Sequence, residues 1–181
     1  MVIAMKKDRF SSTNEQKILD FLCQNPYTSY YGAEIAGRTL LSKGGTSQAL
    51  RKMAAEGLLK TEKKGRMIFY RVDPKSAVVK QYKILKNVSL LEPLVEGLKG
   101  ASERAVLFGS CAQGEDTQES DIDIFIVSKE KEKIRKIIPE NKRQRKIQVV
   151  VKTPQEFIEL ERKNPIFNQE IKRGIILWEK E

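Results

Sequence analysis

Leu107-Phe-Gly-Ser-Cys-Ala-Gln-Gly-Glu-Asp-Thr-Gln-Glu-Ser-Asp-Ile-Asp-Ile-Phe-Ile-Val127 is the stretch whose reading decides the fold. An apolar run, Ala105 to Phe108, predicts a strand that enters a Gly109-Ser110 turn. A polar loop follows, then a second apolar strand with Asp121 and Asp123 two residues apart. Residues i and i+2 of a strand share a face, so both carboxylates project together while Ile122 and Ile124 pack behind them. Two like charges held that close repel and cost stability unless a cation sits between them. Hard oxygen ligands of this kind suit Mg2+, which is usually held by one or two carboxylates plus substrate phosphates. Gly109 lets backbone approach a phosphate, and Ser110 adds a hydroxyl on the same turn. Strand, turn and paired acids therefore read as a triphosphate-and-metal site.

The same residues, Gly109-Ser110-x-Ala112-x-Gly114 and Ser120-Asp121-Ile122-Asp123, resemble the polymerase-β-type nucleotidyltransferases, in their minimal single-domain form. The resemblance implies an α/β nucleotidyltransferase fold with a mixed sheet over residues 92–181. It implies Asp121 and Asp123 as catalytic and metal-holding residues, and Gly109, Ser110 and Ser120 at the phosphates. Mg2+ or Mn2+ is the expected ion and a nucleoside triphosphate, ATP first, the expected substrate. The reaction would be transfer of a nucleoside monophosphate to an acceptor hydroxyl with release of pyrophosphate. One position departs from the family. Its third carboxylate lies on the strand after the charged helix, and here Lys146-Ile-Gln-Val-Val-Val151 puts Gln148 there. Glutamine hydrogen-bonds but supplies neither a base nor negative charge to a metal. Glu156 and Glu119 are the acids left as substitutes.

Composition frames these readings. The chain has 181 residues, 40% of them hydrophobic, enough for one domain or two small ones. No apolar run approaches the length of a membrane span, and Met1 to Phe10 lacks a signal-peptide core. With no histidine and only Cys23 and Cys111, a structural zinc site is excluded, and a general base would have to be a carboxylate or water. A reducing cytoplasm is the expected location. Met1 to Leu90 carries 17 Lys and Arg against 7 Asp and Glu, whereas the remainder carries 17 of each. The whole excess of +10 therefore lies in the first half, as in a nucleic-acid-binding module joined to a neutral one.

That half predicts three helices. The first is capped by Thr13 and carries Ile18, Leu19, Phe21 and Leu22. A short second ends at Gly37, and a third opens at Thr46. Two strand-like runs, Leu58 to Glu62 and Met67 to Val72, flank the basic turn Lys63-Lys64-Gly65-Arg66. This order resembles the winged helix-turn-helix of bacterial and archaeal transcription regulators, and Ser47 to Leu59 resembles their recognition helix and entry to the wing. The resemblance implies an α+β module over residues 1–73 that binds double-stranded DNA. Lys43, Thr46, Gln48, Arg51 and Lys52 cluster as residues that would contact phosphates and base edges, with Lys63, Lys64 and Arg66 on the wing. A solvated helix face and an ordinary polar turn, or a protein-binding winged helix, are the competing readings.

Residues 74–91 form the connector, with a helix from about Lys75 to Val88, and a second helix follows from about Glu92 to Lys99. The connector is apolar enough either to pack on its own chain or to make a homodimer. Beyond Val127 the pattern predicts a helix from Lys129 to Ile138 and a strand from Lys146 to Val151. A helix starts at Thr153-Pro154, another covers Asn168 to Lys172, and a last strand runs from Ile175 to Trp178. The expected whole is a two-domain DNA-binding nucleotidyltransferase without membrane attachment. A partner protein is the acceptor that small antitoxin-type relatives imply. A non-enzymatic regulator sensing nucleotide or a partner is the first alternative, and transfer onto RNA the second.

Overall fold

The structure, a computed structural model, describes residues 13–138 and 145–181. They divide between Lys83 and Ile84 into two compact units, and the division falls inside a helix.

In the first unit, α1 (Asn14–Gln24) begins with a reciprocal cap. The Thr13 hydroxyl accepts the Gln16 amide at 3.2 Å, and the Gln16 side chain accepts the Thr13 amide at 3.0 Å. A two-residue strand, β1 (Tyr30–Tyr31), leads into α2 (Gly32–Thr39), then α3 (Lys43–Ala55), β2 (Leu59–Lys64) and β3 (Met67–Val72). The strands form an antiparallel sheet in the order β1-β3-β2. Ile18, Leu22, Ile35, Leu50, Met53 and Val72 make the core. Two expectations are corrected. Helix α2 runs past Gly37 to Thr39 and closes on Leu40 at φ 56°. Helix α3 opens at Lys43 rather than Thr46, because the Ser42 hydroxyl caps it by accepting the Gly45 amide at 3.2 Å.

Helix α4 (Ala77–Leu98) is continuous where two helices were expected, and it contains Pro93. An interior proline costs a helix about 3 kcal/mol. Leu91, Leu94, Val95 and Leu98 around it are all buried, at roughly 1.5–3 kcal/mol each, so packing outweighs the break.

The second unit follows with β4 (Arg104–Phe108), α5 (Gly109–Gln113), β5 (Ile122–Val127), α6 (Lys131–Ile137) and β6 (Ile147–Lys152). Then come α7 (Pro154–Lys163), α8 (Pro165–Lys172) and β7 (Ile175–Glu179). Its sheet has the order β6-β5-β4-β7, parallel between β5 and β6 and antiparallel elsewhere, so it is the mixed sheet expected. Alternation along the two central strands feeds two cores. Leu107, Ile122, Ile124 and Ile126 pack with Leu91, Leu98 and Ile134 on one face. Val106, Phe108, Phe125 and Val127 pack with Leu160 and Ile171 on the other. Asp123 belongs to the Phe125 face, at the strand end nearest the loop.

Candidate active site

The site forms where β4 ends and β5 begins. Phe108 pairs across the ladder with Asp123, so the residue after Phe108 lands beside that carboxylate. It is Gly109, at φ +68°, and a Cβ built there would stand 2.8 Å from Asp123 Oδ2. Only glycine permits both that conformation and that proximity. The chain then makes the short helix α5, not the open turn expected, and closes at Gly114 with φ +67°. Cys111 and Ala112 turn inward and anchor it.

Asp121 precedes β5 by one residue and Asp123 is the second residue of that strand. Gln148 is the β6 residue registered beside Asp123. Its side-chain amide donates to Asp121 Oδ2. A neutral donor thus stands next to the two acids, where the resemblance implied a third. Burial raises the proton affinity of Asp123 first, the Asp121 charge second and the Glu170 charge third, with Arg145 opposing. A carboxylate whose charge is disfavoured by burial and by a neighbouring acid fits a divalent cation. Among the described residues no three His, Cys, Asp or Glu side chains are grouped closely enough to hold a metal by themselves. The remaining ligands would have to come from substrate phosphates and water.

Several sequence expectations are revised. Glu156 is committed elsewhere. Its carboxylate accepts the Lys131 ammonium at 2.7 Å and closes the cap of α7 by accepting the Thr153 amide at 2.7 Å. Those bonds hold it at a pKa of about 2. The Ser120 hydroxyl accepts the Thr117 amide at 2.9 Å, within its own turn, so its first role is to shape the loop. Ser110 is half-buried at the start of α5, beside Gly109.

Two residues were missed. Glu170 lies on α8, one turn from Phe167, whose ring sits 5.6 Å from that of Phe108. Arg145 reaches under the loop that carries Asp121. Sequence spacing offered no signal for either, since each reaches the site from another element.

On the basic unit, Lys43, Gln48, Arg51, Lys52, Lys63, Lys64 and Arg66 are all at least partly exposed. Thr46 is not. It is 1% exposed and shares the buried face of α3 with Ala49, Leu50 and Met53, three, four and seven residues on, so it is unavailable to a ligand. Lys43, Arg51 and Arg66 line one cavity of about 350 Å³ with Ser47 and Tyr70. Lys52 lies a long 3.6 Å from Glu15, and Lys64 lies 3.1 Å from Glu62. Both pairs are exposed and weak.

Against known proteins, the decisive match lies in the second unit. Residues 99–181 match the family Polymerase beta, Nucleotidyltransferase. That stretch is therefore similar to a nucleotidyltransferase domain. A solved structure from Sulfolobus solfataricus, described as a candidate nucleotidyltransferase, is 20% identical with a TM-score of 0.40. The similarity covers 59% of this chain and 92% of that one. No curated protein matches the sequence. Within the matched residues lie Gly109, Ser110, Asp121, Asp123 and Gln148.

Proposed function

We propose that this protein is a DNA-binding nucleotidyltransferase that moves a nucleoside monophosphate from a triphosphate, ATP first, to an acceptor hydroxyl. The observation that carries the reading is the apposition of Asp123 with the Cβ-free Gly109, next to Asp121, within the residues that match the family. Asp121 and Asp123 hold Mg2+ or Mn2+, which supplies charge neutralisation of the phosphates when bound. The chain's own residues do the rest. Gly109 lets backbone approach the phosphates, Ser110 offers a hydroxyl donor, and the β4–β5 pairing fixes Asp123. Phosphoryl chemistry of this kind is mostly positioning and charge stabilisation. The acceptor is a hydroxyl on a partner protein. Incubation with α-labelled ATP and a divalent cation, in lysate and with the product of a neighbouring gene, tests this. A labelled protein band lost in Asp121→Asn and Asp123→Asn supports it, and its absence with every acceptor points to the second reading.

That second reading is a nucleotide-sensing regulator without turnover. Gln148 favours it, since an amide next to Asp121 lends no negative charge to a second metal.

For the basic unit, the order α1-β1-α2-α3-β2-β3 and the cationic outer face of α3 support a winged helix that binds duplex DNA. Arg51 and Lys52 of α3 would contact DNA, with Lys63, Lys64 and Arg66 of the hairpin at phosphates. Among the described residues no helix is long and apolar enough to cross a membrane.

A further inference from the structure

We infer that Arg145 is a positioning residue for Asp121, an inference that rests on the metal-and-nucleotide reading of that site. Asp121 lies just outside β5, so the registered pairs of the sheet do not hold it. Its backbone is held from beneath instead. Arg145 Nε donates to the Ser120 carbonyl at 2.8 Å, and Nη2 reaches the Asp121 carbonyl at 3.4 Å. The Cys111 thiol donates to that same carbonyl at 3.3 Å.

The guanidinium is itself fixed. Nη1 donates to Asp116 Oδ2 at 2.8 Å and to Asn87 Oδ1 at 3.3 Å, and Nη2 to Cys111 Sγ at 2.9 Å. Asn87 in turn donates to Asp116 Oδ1 and to the Cys111 carbonyl, both at 3.1 Å. Asp116 and Asn87 are almost wholly buried. A planar fork with several donors is what so many converging acceptors require, and lysine cannot supply it. What separates Arg145 from a plain structural ion pair is its target. Besides Asp116, it bonds the backbone of the residue that presents the carboxylate and of the one before it. Groups that orient ligands in this way typically change metal affinity by about 10-fold to 100-fold when replaced.

Two readouts on the full chain test this, in wild type, Arg145→Lys, Arg145→Ala, and Arg145→Ala with millimolar guanidinium. Amide exchange at Thr117, Ser120 and Ile122 reports loop order, and calorimetric titration with MgATP reports the site. The expected result is faster exchange at these three amides in Arg145→Lys, with β4 and the rest of β5 unchanged. MgATP affinity should fall by about 10-fold or more, and guanidinium should restore both properties to Arg145→Ala. Arg145→Lys that exchanges and binds as wild type does would overturn the inference. So would exchange that accelerates equally throughout β4 and β5, which marks a residue of the fold alone. If the loop loosens as expected while wild type binds no MgATP, Arg145 still positions Asp121 and the nucleotide reading is what fails.

Discussion

At Gly109 the backbone takes φ +68°, and a side chain there would meet Asp123 Oδ2 at 2.8 Å. Gly109→Ala should cost about 1–3 kcal/mol, from left-handed backbone strain, readable in urea denaturation. It should also abolish MgATP binding with both acids still in place, because the new methyl displaces the Asp123 carboxylate. Asp123 makes a prediction of its own. Burial, Asp121 and Glu170 raise its pKa above the ordinary value of 3.8. The folded chain therefore holds that proton more tightly than the unfolded one. Ionisation destabilises the fold as pH rises from about 3.8 through the raised value. Asp123→Asn should melt higher than wild type at neutral pH without metal, and the difference should close in acid. Asp123 and Gln148 were legible in the sequence, because a strand's period places them, whereas Asp121, expected in the same strand, lies one residue before it. Arg145 was not. It sits in the Lys- and Arg-rich run Lys142 to Lys146, where nothing marks one cation as buried against Asp116.

Among the elements, α7 shows what local sequence determines. Thr153, Pro154 and Glu156 announced a helix start, and the capping box forms with Glu156 also bonded to Lys131. Glu156 titrates near 2, depressed first by Lys131 and then by the Thr153 amide. Its contribution to stability is thus full above the unfolded value of 4.5 and disappears as pH falls towards about 2. Glu156→Gln should lower the melting temperature at pH 7 modestly, since the group is solvent-screened, and match wild type at the acid end. Helices α5 and α4 were not legible. Glycines bracket α5, so five residues looked like a turn, and Pro93 reads as a helix stop unless the burial of its neighbours is known. The start of α3 was misplaced because Gly44 and Gly45 have poor helix propensity, while Ser42 and Thr46 compete as caps. Where α8 meets β7, a Cβ on Gly174 would lie 2.5 Å from the Leu107 carbonyl and 2.6 Å from Val106 Cγ1. Neither neighbour can swing away, so Gly174→Ala should destabilise the domain by about 1–3 kcal/mol or more, measured by denaturation of the full chain.

For the molecule as a whole, charge is the broadest signal, with the excess of +10 confined to the first 90 residues. If that half binds DNA through phosphates, log affinity should fall linearly with log salt. Arg51→Ala with Lys52→Ala should flatten the slope by about 0.9 for each phosphate left unneutralised; fluorescence anisotropy on duplex DNA at several salt concentrations reads it. A salt-independent affinity would rule out binding through phosphates. The second half is neutral overall, and its importance lies in where two of its acids are placed, Asp121 and Asp123, proposed to bind a metal–triphosphate complex together. The most direct measurement is a set of thermal melts of wild type, Asp121→Asn and Asp123→Asn, each with and without MgATP. Saturation at 100 times the dissociation constant stabilises by about 2.7 kcal/mol. The expected result is a clear rise in the wild-type melting temperature with MgATP and none in either variant, both of which remain folded. A wild-type melt that no nucleoside triphosphate shifts, with Mg2+ or Mn2+, would contradict it.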